Sequence, residues 1–351
     1  GGLLVLHHDL ERLLYPERHV VAAPMGEAIR APIVPLLQKL QTQAPADFRP
    51  LRLEPGHGDT ASDKIVFVGP NRTTRWSAFV NPWTGDVLWT GQDQALFTPW
   101  LLHLHMHLQA GKWGYVVTGL ASVALIFLGL TGVWITRDRL ANLLRHPFRV
   151  SRGWRVGLSD LHKWIGLVSL YFILVLGGTG LWFSILIVPT QLKAEARPPL
   201  APAFDISKLT AIEPALAATA REFPDAELAR VIFPWDAGVK LQVRVLHRSA
   251  PVWEKFSRMD FDPLTGAPLR VVRASEATTA QKWQAILGPL HFGYYGSTVT
   301  KWLYVLGGFS PAILFLSGSA IWWLRRRKAA SAQTRRRPAA AGVSKSPLPA
   351  R

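Results

Sequence analysis

Residues 100–134 read WLLHLHMHLQAGKWGYVVTGLASVALIFLGLTGVW, and this stretch decides the fold. Residues 113–136 carry no charged side chain. A run of that kind longer than about 18 residues is long enough to cross a bilayer core. Just before it, His103, His105 and His107 occupy alternate positions. Ionisable side chains at the mouth of a span are costly to place, so a functional role is the first hypothesis for them.

Working outward, two more charge-free blocks occupy residues 164–191 and 302–324. A fourth apolar piece, residues 1–6, is too short to span and runs into the polar, helix-like HHDLERLL. It reads as the tail of a first spanning helix that starts upstream; the basic start and small-residue cleavage site of a signal peptide are not visible. The expected fold is therefore an α-helical membrane protein, a four-helix transmembrane bundle with its first helix truncated. A mean hydropathy of +0.14 in a chain with 18% charged residues agrees with apolar residues gathered in blocks.

The net charge of +17 is gathered too. Residues 137–163 carry seven Lys or Arg and two Asp, and residues 325–351 carry nine Lys or Arg and no acid. The positive-inside rule puts this loop and tail in the cytoplasm and residues 15–99 and 191–288 outside. Flanking spans explain a pI near 10.7 better than nucleic acid does, and no nucleic-acid partner is expected. The absence of cysteine excludes disulfides, thiolate-held iron–sulfur clusters and covalent CxxCH haem.

The two outer segments share a plan. In the first, residues 24–43 are amphipathic, with Pro32 and Pro35 limiting any helix. Residues 65–68 and 76–80 read as strands, followed by the turn NPWTGD. In the second, Ser207 can cap a helix carrying Leu209, Ile212 and Leu216. Residues 228–233 and 239–246 read as strands, and residues 258–261 lead through DPLTGA to 269–272. Both segments are expected to be small α+β modules. The spans repeat as well: LGLTGVW, LGGTGLW and LSGSAIWW each set a small hydroxyl residue near glycine, which lets helices or a flat cofactor approach closely. Two halves repeated in one orientation are related by an axis along the membrane normal. The expected divisions are 1–14, 15–99, 100–136, 137–160, 161–190, 191–288, 289–324 and a disordered tail 325–351.

Further histidines lie near other boundaries: His7, His8, His162 and His291. His105 and His291 open the two descending spans and should share a depth, with His162 about 30 Å away at the inner side. Two imidazoles facing each other across a bundle can ligate b-type haem without a covalent link. On a helix His103 and His107 share a face and His105 points away, so three co-facing ligands would need extended backbone. A separate HxHxH metal site, with His103 and His107 as weaker candidates, stays open as an alternative.

At these residues the chain resembles the PepSY-associated transmembrane family, and within it the membrane-bound siderophore reductases. The resemblance rests on WLLHLHMHLQAGKWG, DLHKWIGL, LHFGYYG, the Thr–Gly pairs, NPWTG and DPLTG, in this order. It implies four spans, two periplasmic PepSY-like modules, and one or two b haems held by histidines in a bacterial inner membrane. It further implies reduction of ferric siderophores or related iron chelates. The family's second-, third- and fourth-span histidines match His105, His162 and His291; its first-span histidine has no counterpart here, while His7 and His8 could serve the outer site. There is no GxGxxG loop, so electrons would come from a separate donor, a quinol or a reductase. The alternative is a non-enzymatic PepSY-type membrane protein that binds or regulates in iron uptake or protease control.

Overall fold

The computed structural model describes residues 1–23, 29–139, 145, 153–193, 206, 209–236 and 238–336. Three short helices come first, α1 (Gly2–Val5), α2 (His7–Leu14) and α3 (Pro16–His19). The first module contains α4 (Ile33–Gln43) and strands β1 (Arg49–Glu54), β2 (Asp63–Val68), β3 (Arg75–Val80) and β4 (Val87–Gln92). Next come α5 (Phe97–His107), α6 (Gly111–Thr136), α7 (Trp154–Val168) and α8 (Leu170–Leu192). The second module contains α9 (Ile212–Glu222) and strands β5 (Glu227–Ile232), β6 (Leu241–Leu246), β7 (Phe256–Phe261) and β8 (Pro268–Val272). The chain then runs through α10 (Thr279–Phe292) and α11 (Thr298–Arg336).

The modules follow from strand alternation. In β6 Leu241, Val243 and Val245 are buried while Gln242, Arg244 and Leu246 are not, the period-two pattern of a half-buried strand. The two shared turns fold alike: Asn81 Oδ1 accepts from the backbone N–H of Trp83, and Asp262 Oδ1 from those of Leu264 and Thr265. Gly85 and Gly266 then take φ values of 74° and 70°, which a side chain would resist. Each module has four described strands; β1 and β4 go beyond the two strands expected in the first segment. Ser207 lies outside the described residues, and α9 starts only at Ile212, beyond Leu209.

The modules are not separate. All eight strands form one antiparallel sheet in the order β4-β3-β2-β1-β5-β6-β7-β8. β1 and β5 join the halves, with Arg52 opposite Ile232 and Leu53 opposite Val231. Beside this seam Arg230 Nη2 lies 2.9 Å from Glu54 Oε1. α4 and α9 cover one face, over a core that includes Leu37, Leu40, Leu53, Ile212, Val231 and Phe261. Glu213 Oε1 accepts from Ile33 N–H at 3.0 Å and Val34 N–H at 3.4 Å, so a residue of the second module satisfies the exposed start of the first module's helix.

Among the described residues, three helices are long and apolar enough to cross a membrane: Gly111–Thr136, Leu170–Leu192 and Thr298–Lys328. α6 has 26 residues and a length of about 39 Å, enough for a core of about 30 Å. α1 crosses α11 so closely that a Cβ on Gly308 would stand 2.7 Å from Gly2 Cα. Where composition suggests a disordered tail, α11 stays helical to Arg336; residues 337–351 lie outside the described residues, as do 140–144 and 146–152 of the basic loop.

Each of the three long helices is entered from a shorter helix across a break. α5 and α6 are separated by Leu108, Gln109 and Gly111, all with φ between 53° and 56°. A Cβ on Gly114 would lie 1.7 Å from the His107 carbonyl oxygen, so glycine is required where α6 folds back against this turn. α10 and α11 are separated at Gly293, with φ 75°, and α7 and α8 at Ser169. The two halves thus match in detail: a last strand, a single 3-10 turn (Asp93–Ala95 or Ala274–Glu276), a histidine-bearing lead-in helix, a left-handed break, and a span. The strand order reads the same from either edge, as a two-fold axis through the β1–β5 seam requires.

Candidate functional site

The two lead-in helices bring His105 and His291 together, with ring centres 6.1 Å apart and planes tilted by 36°. With metal–imidazole bonds of about 2.0–2.1 Å and ring nitrogens roughly 1.1 Å from the ring centre, two imidazoles sharing one metal ion stand about 6.3 Å apart. The spacing fits a shared ion.

The His291 ring has a fixed proton. Thr179 on α8 donates its hydroxyl to the Val175 carbonyl at 2.6 Å. Its oxygen must therefore accept from His291 Nδ1–H, at 2.8 Å. That leaves Nε2 with its lone pair free, the state a metal ligand needs. Beside Thr179, Gly180 borders the ring: a Cβ there would meet His291 Cε1 at an ordinary contact of 3.6 Å. Phe183 packs edge-on against the same imidazole, with ring centres 5.3 Å apart.

His162 has the same surroundings. Ser317 on α11 donates to the Ile313 carbonyl at 2.7 Å and accepts from His162 Nδ1–H at 2.8 Å. A Cβ on the neighbouring Gly318 would stand 3.3 Å from His162 Cε1. His162 opens on a cavity of about 470 Å³ whose wall includes Gly129, Gly132, Gly166, Phe315 and Gly318. Two of the three repeats seen in sequence, at Thr179–Gly180 and Ser317–Gly318, are thus seats for imidazoles in which the hydroxyl sets the proton; Thr131, among the described residues, bonds only carbonyls of its own helix. Sequence showed them as places of close approach, but not which histidine each one serves.

The other histidines divide as helical spacing predicts. His103 and His107 lie on one face of α5 with ring centres 5.1 Å apart, and His107 also packs on Tyr115 at 5.0 Å. Among the described residues no three His, Asp or Glu side chains converge on a point fit for a metal ion. His7 and His8 stack on each other at 3.8 Å, and their further ring neighbours are Tyr294 and His57. The His105–His291 contact therefore forms without them. A second feature had no signal in sequence. Tyr171, Tyr295 and Tyr304 hydroxyls form a chain, with steps of 3.1 and 3.0 Å, linking α8, the α10–α11 turn and α11. Tyr171, on α8, lies between Thr179 and His162 in the chain.

Residues 1–325 match the PepSY-associated TM region family. The chain belongs to that family. A relative, the uncharacterized protein PA4219 of Pseudomonas aeruginosa, is 28% identical over 254 residues, covering 64% of this chain. The aligned part spans 63% of that relative's length. In this family member the span repeat, the paired sheet and the two histidine seats are parts of one arrangement.

Proposed function

We propose that this PepSY-associated transmembrane protein is a haem b electron carrier of a bacterial inner membrane that reduces ferric siderophores or related iron chelates on the periplasmic side. The observation that carries the reading is the His105–His291 pair, 6.1 Å apart, with the His291 Nε2 lone pair left free. Bound there, haem b would supply a one-electron Fe(III)/Fe(II) couple. His105 and His291 would hold it between them, and two protein ligands would suit electron transfer. Thr179 holds the His291 ring and its proton. His162, held by Ser317 beside the 470 Å³ cavity, offers one imidazole to a second, inner group.

The substrate gains one electron and its iron passes from Fe(III) to Fe(II), which oxygen-rich chelators hold far less tightly. The electron enters from a separate donor, a quinol or a reductase, on the inner side. A pyridine haemochrome assay with a dithionite-minus-oxidised spectrum tests the reading. Soret and α bands of b-type haem, diminished in His105→Ala and His291→Ala, are expected. Protein that binds no haem when it is expressed with haem supplied would sink it.

A further inference from the structure

The face of the sheet opposite α4 and α9 carries arginines in register. Arg230 on β5 is the direct partner of Arg244 on β6, which is the direct partner of Arg258 on β7. Like charges placed directly opposite on neighbouring strands repel and lower stability. The carboxylates on this face do not balance them. Glu54 serves both Arg52, at 2.8 Å, and Arg230, at 2.9 Å. Asp260 is 3.7 Å from Arg258 and also accepts from Gln242 at 2.7 Å. Arg244 Nε donates to the neutral Gln242 Oε1 at 2.6 Å. The Nε atoms of Arg230 and Arg258 are buried without a hydrogen-bond partner. Burial and the two flanking arginines push the Arg244 guanidinium down from its ordinary range. Among the described residues the middle arginine, Arg244, has no carboxylate within ion-pair distance, so an added anion would stabilise the ladder.

The segment that leads from the helix flank into the first module crosses this same face. Phe79 and Trp89, a cross-strand pair, project from it, while Ala78 and Val80 are in the opposite core. α3 lies against that pair: the His19 ring is 4.6 Å from Phe79, and the Arg18 guanidinium 4.4 Å from Trp89. α3 follows α1 and α2, which rise from the flank of α11. The axis relating the halves passes through the β1–β5 seam beside Arg52 and Arg230, and it also exchanges the helices that carry His105 and His291.

We propose that the Arg230–Arg244–Arg258 ladder docks an anionic, carboxylate-rich iron chelate above the His105–His291 pair and disfavours cationic chelates. The identity of the anion as an iron chelate rests on the reductase reading above. Guanidinium forks match carboxylates two bonds at a time, which a lysine row does not do.

The full chain in phosphatidylcholine nanodiscs, titrated calorimetrically with gallium(III) citrate, tests this, because gallium keeps the charge and cannot be reduced. Citrate complex is expected to bind, more weakly as salt rises. Binding should weaken at least tenfold in Arg244→Gln/Arg258→Gln, and less in Arg244→Lys, with melting temperatures no lower than the parent's. A cationic gallium trihydroxamate should not bind measurably. Equal affinity in the Gln and parent proteins, or equal affinity for the cationic complex, overturns the proposal. So does citrate binding that is absent in phosphatidylcholine while phosphatidylglycerol discs shield the arginines from a guanidine-directed label, which assigns the ladder to lipid headgroups. Citrate binding by protein that takes up no haem overturns the reductase reading alone, whereas haem bands without citrate binding overturn the docking site alone.

Discussion

His291 Nδ1–H donates to Thr179 Oγ1 at 2.8 Å, and Thr179 donates in turn to the carbonyl of Val175. His162 and Ser317 repeat the relation at the other seat. Partners of this kind fix the tautomer of a ligating imidazole, and losing one typically costs about 10–100-fold in metal affinity. Thr179→Val is expected to weaken haem binding at the outer site by that order, while Thr179→Ser keeps it. Ser317→Ala should leave the outer site alone. Haem titration of each variant, followed in the Soret band, checks this; identical curves for Thr179→Val and the parent would refute it.

Gly114→Ala puts a methyl group 1.7 Å from the His107 carbonyl oxygen. The left-handed turn at Leu108 and Gln109 must then shift, carrying α5 and His105 with it. Overpacking of this kind costs about 1–3 kcal/mol. Gly132→Ala is the control, since a Cβ there meets nothing within 4 Å. Thermal melting in detergent should show a clear drop for the first and little change for the second.

Much of this was legible in the sequence. Charge-free blocks gave three spans, and the 3.6-residue period set His105 apart from His103 and His107. The turn motifs NPWTGD and DPLTGA announced the repeat. Three things were not legible, each for a physical reason. The β1–β5 seam depends on two edge strands meeting, and neither carries a mark of its partner. The breaks at Leu108 and Gln109 fall on residues with no preference for positive φ, so local propensity points the other way. The pairing of Thr179 with His291 joins residues remote in the chain, and hydroxyls inside a span read first as packing.

Glu213 joins the modules by accepting from Ile33 and Val34 at the start of α4. Glu213→Ala leaves those N–H groups unsatisfied. Loss of a helix cap of this sort costs about 0.5–2 kcal/mol. The expected result is a lower denaturant midpoint with an unchanged slope; a midpoint equal to the parent's would show that solvent replaces the carboxylate fully.

Burial, with Lys64, Arg18 and Arg12 nearby, pushes the His19 imidazole down to about 4 from an ordinary value near 6.5. The folded form therefore holds the proton less well than the unfolded chain. As pH falls, the unfolded chain protonates first, so this contribution to stability is complete above about 6.5 and is lost progressively toward about 4. Melting temperatures at pH 7 and pH 5 should differ less in His19→Gln than in the parent. A difference as large as the parent's would mean that other groups set the acid sensitivity.

The α7–α8 pair bears on both seats at once. α8 supplies Thr179 to His291, and α7, leading into it, carries His162 itself, about 25 Å of helical rise away. The rod is therefore built like a camshaft, with one lobe set against each imidazole and a joint at Ser169, where α7 gives way to α8, between them.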